Sequence, residues 1–245
     1  MYVLTIDQRG STRDRDRVPE LLAELTSLGF PSFERSVGDE LQGVVDQAGQ
    51  AVDAALHALR SGHWYVGIGL GEAVVPDGGS PREGIGSAFV AARHAVEFAK
   101  GAGSRVPLSV VAGMLATGAA EEDGMATERP DTHGQGTDPA AEAVAACADA
   151  QAVLRLIARL RQERTAPQWK LVDTLNELTA AAPHGIQKLA AERLGVSEQS
   201  VSRTLIRAGW QEELAARPAA ARLLEFAHRS VAAAHGAAGA KGGGN

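Results

Sequence analysis

Apolar and polar positions in the front half of the chain alternate between two rhythms. Residues 1–7 alternate loosely in the period of a strand and end on an aspartate. A charged loop over 9–17 follows, and Val18, Leu21, Leu22, Leu25 and Leu28 then fall on one face of a helix. Two short apolar runs, 33–37 and 41–45, flank Gly38-Asp39 and predict a hairpin. A helix over 50–60 turns Val52, Ala55, Leu56 and Leu59 inward. Residues 64–70 read as a buried strand that 73–75 extends or pairs with, and 76–84 as a loop. A small-residue helix over 88–100 and a last strand over 106–111 complete the half. Strands alternating with helices predict an α/β sheet with helices on one or both faces.

The rear half has no strand rhythm. Residues 115–140 are Gly, Ala, Thr, Glu, Asp and Pro without periodicity, and such a segment buries too little apolar surface to offset its ordering entropy. A disordered linker or insertion is expected there, between an α/β domain over 1–114 and a helical domain over 141–235. Helical patterns cover 141–164 and 168–181, the second offering Trp169, Val172, Leu175 and Leu178 as a third wall for the helical domain. Another runs over 219–234, with Leu223, Leu224 and Phe226, before a glycine- and alanine-rich tail, 236–245, expected to be flexible.

Between them lies IQKLAAERLGVSEQSVSRTLIRAGW, residues 186–210. Ile186, Leu189, Ala190 and Leu194 recur at helical spacing, and Ala191 is small enough for a second helix to cross nearby. Gly195 supplies the left-handed residue that ends a helix, Val196 is placed to plug the corner, and Ser197 is an N-cap for the next helix. That helix buries Val201 and Leu205 and exposes Gln199, Ser200, Ser202, Arg203 and Arg207. Hydrogen-bonding side chains near a helix N-terminus, with arginines beyond, suit the DNA major groove. AAERLGVSEQSVSR resembles the helix-turn-helix of bacterial transcription regulators. That resemblance implies double-stranded DNA as partner, with Ser197, Gln199, Ser200, Ser202, Arg203 and Arg207 as contacts. A plain helical hairpin in a larger core is the competing reading.

Composition sharpens this division. The net charge of −6 is uneven: 11 basic residues face 22 acidic ones through residue 150, and 13 face 8 afterwards. The rear half is therefore the one suited to phosphates. The single cysteine, Cys147, excludes an internal disulfide and a cysteine-cluster metal site. No apolar run approaches a membrane span, and the opening residues do not read as a secretion leader, so a soluble cytoplasmic protein is expected.

Three stretches of the front half carry further chemistry: IDQRGST, SVGDELQGVV, and YVGIGLGEAVV with GSAFVAAR after it. Carboxylates from neighbouring strands can hold a divalent metal that neutralises a triphosphate. Read singly, Asp7 and Asp39 are a strand-end cap and a hairpin aspartate. Together the stretches resemble the class III nucleotidyl cyclases, through Asp7, Gly10 and Thr12, then Gly38 and Asp39, then Val66, Gly67, Ile68, Gly71 and Glu72, then Ala91, Ala92 and Arg93. The resemblance implies a ferredoxin-like α/β domain, homodimerisation, Asp7 and Asp39 as magnesium ligands with a nucleotide, and Arg93 facing phosphate. Gly10 and Glu40 would complete the pocket. Two positions depart from that family: its transition-state asparagine falls at Phe89, and its base-contacting lysine at Arg35. The GDELQG hairpin, the GIGLGE strand and Ala92-Arg93 more closely resemble the SatD family, whose members also carry a C-terminal helix-turn-helix. A MarR-like label would rest on the rear half alone.

The expectation is a DNA-binding regulator that requires no cofactor, joined to a catalytically silent cyclase-like domain that dimerises or senses a ligand. An active cyclase with an accessory helix-turn-helix, and a protein-interaction module, are the alternatives. Phe89 speaks against the first and the exposed arginines against the second.

Overall fold

The computed structural model describes residues 1–30, 32–101, 106–113, 138–181 and 185–242. It is mixed α/β. One five-stranded sheet contains β1 (Tyr2–Gln8), β2 (Phe33–Arg35), β3 (Glu40–Val45), β4 (Trp64–Leu70) and β5 (Leu108–Ala112), in the order β2-β3-β1-β4-β5. β1 is antiparallel to both its neighbours, β2 is antiparallel to β3, and β4 and β5 run parallel. Helices α1 (Val18–Ser27) and α2 (Ala48–Leu59) connect β1 to β2 and β3 to β4, while α3 (Ser87–Gly101) connects β4 to β5. The rear half supplies α4 (Pro139–Gln162), α5 (Ala166–Ala181), α6 (Ile186–Leu194), α7 (Glu198–Arg207) and α8 (Trp210–Gly242). None of the described helices is long and apolar enough to cross a membrane.

The two faces of the sheet are built differently, and β4 shows how. Trp64, Val66, Ile68 and Leu70 point into the larger core, joined by Tyr2, Leu4 and Ile6 of β1. The alternate positions Gly67 and Gly69 lie under α3, where an added Cβ would run into the backbone around Ala88, Ala92 and Val96. The glycines of the strand and the alanines of the helix thus form one close-packed joint. Phe89, on the same side, packs with Val3, Val44, Ala88 and Ala92.

The larger core draws residues from both sides of the expected domain boundary. Ala143, Ala150, Leu154 and Ile157 of α4, and Ala220, Leu224, Ala227 and Val231 of α8, belong to the same cluster as the sheet, α1 and α2. The Tyr2 ring lies 5.0 Å from that of His228, and His235 donates to the Gly113 carbonyl. The helical segment 141–235 is therefore divided by its packing. Its first and last helices cover the sheet, while α5, α6 and α7 form a separate small core of Leu171, Leu175, Ala190, Ala191, Val201 and Leu205, against which Trp210 at the start of α8 packs.

Three further expectations change. The helix expected over 219–234 begins at Trp210 and runs through Pro218. It also continues to Gly242, so most of the expected tail is helical. Alanine carries high helix propensity, and packing on α4 and the sheet holds the helix through its proline. Val74 pairs with Ile85 across the connecting loop rather than with β4. The expected linker, 115–140, lies outside the described residues except at its end, where Asp138 caps α4 and Pro139 opens it.

Candidate functional site

Gly195 takes the left-handed conformation at φ 66° and ends α6. The Ser197 side chain then accepts from the Ser200 amide at 3.2 Å and starts α7. Val201 and Leu205 are buried against α5 and α6, and Ala190 and Ala191 allow the close crossing. Two apolar residues behave differently from expectation: Leu189 is 38% exposed and Val196 is 45% exposed. The corner is closed instead by the Val196 amide, which donates to the Ala191 carbonyl at 3.0 Å.

Of the expected contact residues, Ser197, Gln199, Ser202, Arg203 and Arg207 are exposed and Ser200 is half-buried. At 100° per residue, Gln199, Arg203 and Arg207 share the side of α7 opposite Val201 and Leu205, with Ser202 on its flank. The Arg203 guanidinium lies back along the helix, its Nε donating to the Gln199 carbonyl at 3.3 Å. The same side carries Ile206, 71% exposed, which sequence reading passed over. Its spacing from Gln199 and Arg203 was the available signal.

The three-helix unit is held to the rest of the chain by arginines. Arg60, at the end of α2, makes a two-pronged ion pair with Asp173 of α5 at 2.8 and 2.7 Å. Its guanidinium also stacks 3.9 Å from the Trp169 ring, which Arg161 and Arg164 approach at 4.9 and 5.0 Å. Trp169, expected in the wall behind the two helices, thus serves the joint. Behind it, Glu213 at the root of α8 is 3% exposed and receives Arg161, Arg164 and Arg217. Burial pushes the Glu213 carboxyl up, but the three arginines outweigh this and hold it below its ordinary value. A cavity of about 400 Å³ opens at this joint between Trp64, His57, His63, Arg17, Arg60 and Trp169.

The other expected site lies at the α3 side of the sheet's end. Asp7 and Glu40 are direct cross-strand partners, and Asp39 occupies the turn before β3. Burial raises the pKa of both Asp7 and Glu40. The cation touching Asp7 is the Lys100 ammonium of α3, at 2.9 Å, which also meets Glu97 at 2.8 Å. Arg93 is exposed on α3, close enough for its charge to act on Glu40. Gly10 turns the adjoining exposed loop at φ 66°. Arg35 is engaged with Asp16 at 2.6 Å. Among the described residues, no group of three or more His, Cys, Asp and Glu side chains is arranged to hold a metal.

No family model matches this chain, and comparison with curated proteins and with solved structures gave no match.

Proposed function

We propose that this protein is a DNA-binding transcriptional regulator that reads double-stranded DNA with α7, using α6 and α7 as a helix-turn-helix. The observation that carries the reading is the outer face of α7. Gln199, Ser202, Arg203 and Arg207 stand together on a helix capped by Ser197 and held from behind by Val201 and Leu205. A helix serving only as core would have no use for that combination of hydrogen-bonding and cationic side chains. Arginines on this face supply phosphate neutralisation, and Gln199 near the N-terminal end supplies a base-edge donor and acceptor.

The sheet fits a ferredoxin-like domain, with β2-β3-β1-β4 linked through α1 and α2 and extended by β5. This supports the likeness to the cyclases and to the SatD family, and with it a role in homodimerisation or ligand sensing. It also supports a silent pocket. Phe89 is packed into the face of the sheet, where a hydrogen-bonding asparagine would have to reach substrate. A resident magnesium–nucleotide does not fit the residues as they stand, because Lys100 already neutralises Asp7.

The test is selection from a random duplex library by the full-length protein. Recovery of one enriched sequence, bound in preference to its scrambled counterpart, supports the reading. A library that emerges unenriched contradicts it.

A further inference from the structure

Ile206 is an aliphatic side chain at a solvent-facing position of the helix proposed to read DNA. Gln199, Arg203 and Ile206 fall within about 60° of one another around α7, in the middle of the side facing away from Val201 and Leu205. Ile206 is the most apolar member of that stripe and is 71% exposed, so its side chain contributes little to the small core behind it. Its neighbours there are Ser202, Arg203 and Arg207, which are hydrogen-bonding or cationic, so it does not extend an apolar patch on this helix. An isolated branched aliphatic group among donors is suited to a surface that presents one methyl group among acceptors. The major-groove edge of an A·T pair is such a surface, carrying the thymine C5-methyl beside hydrogen-bonding atoms. Seven residues of helix separate Gln199 from Ile206, about 10 Å of rise, so both can reach one stretch of groove.

We propose that Ile206 is a specificity-determining residue that reads a thymine methyl group in the bound duplex. The proposal rests on α7 being the reading helix, and the experiment separates the two claims. Full-length protein selects a duplex from a random library, and each thymine of that duplex is replaced in turn by deoxyuridine, which lacks only the methyl group. Burying one methyl-sized group corresponds to about a fourfold change in affinity. The expected result is a loss of about that size at one position for the wild type. In Ile206→Ala that loss disappears, and both duplexes bind as the wild type binds the deoxyuridine form. Thermal melting checks that the exposed substitution leaves the fold intact. Equal binding of every deoxyuridine duplex by the wild type overturns the role of Ile206 while leaving DNA recognition standing. A methyl preference that survives in Ile206→Ala overturns the assignment to this residue. Sedimentation of both proteins covers the other use of an exposed aliphatic group. A change in oligomeric state without a change in methyl preference makes Ile206 a contact between copies and overturns the proposal. Failure to select any duplex removes DNA recognition and the proposal together.

Discussion

Replacing Glu213 by glutamine should weaken the joint between the sheet and the three-helix unit. Glu213 is the shared carboxylate of Arg161, Arg164 and Arg217, and Arg164 is itself tied to the Ala208 carbonyl at 2.8 Å, just where α7 gives way to α8. The amide keeps the shape and removes the charge. Arg161 and Arg164, at 9% and 1% side-chain exposure, would then share no carboxylate, since Asp53 lies against Arg217 at 3.5 Å. Uncompensating a buried ion pair commonly costs about 3–5 kcal/mol, a large share of the roughly 5–15 kcal/mol that holds a domain folded. With urea slopes of about 1–3 kcal/mol per molar, the midpoint should fall on the order of 1 M or more. Trp169, seated among these arginines, gives the fluorescence readout. The pH dependence has a definite sign. The Glu213 carboxyl is held below its ordinary 4.5, so its contribution is present above that value and is lost as pH falls through the lower folded one. Wild type and Glu213→Gln should therefore differ fully at neutral pH and converge in acid. Equal midpoints at neutral pH would refute this account of the joint.

Other substitutions probe the remaining elements. Val201→Asp places a charge between α7 and its partners, a change that costs several kcal/mol. Circular dichroism should show helix loss, and DNA binding should vanish; a variant with wild-type helicity would show the face of α7 to be misassigned. Gly69→Ala drives a Cβ into the backbone of α3, and overpacking of this kind costs about 1–3 kcal/mol. An unchanged urea midpoint would contradict the close joint between β4 and α3. Incubation with ATP or GTP and manganese should yield no cyclic nucleotide, whereas product that disappears in Asp39→Ala would overturn the silent-pocket reading.

The two-helix stretch was the most legible part of the chain, because its punctuation is local. Gly195 and Ser197 mark an end and a start that depend on backbone conformation and a single side-chain hydrogen bond. The strands were legible for a similar reason, since β4 alternates between core residues and glycines. The long alanine helices were not. Alanine is nearly as acceptable in solvent as in a core, so the sequence of α4 and α8 does not announce which face is buried or against what. Their packing on the sheet depends on contacts remote in sequence. Trp169 misled for another reason: an indole serves equally as core and as a platform for guanidinium groups. At the acidic end of the sheet, the pairing of Asp7 with Glu40 joins β1 to β3 across α1 and β2, so no local turn announces it. The arrival of Lys100 at Asp7 requires knowing how α3 lies across β4.

The most direct test of DNA reading by α7 compares wild type with Arg203→Ala on a selected duplex and on its scrambled counterpart, titrated at several salt concentrations. Arg203 lies outside the core, so both proteins should melt alike. The account predicts weaker binding by the variant in one of two ways. Loss of a phosphate contact lowers affinity on both duplexes and reduces the salt slope by about 0.9. Loss of a base contact lowers affinity on the selected duplex alone, by about 1–3 kcal/mol. Unchanged affinity on both duplexes at every salt concentration would contradict it.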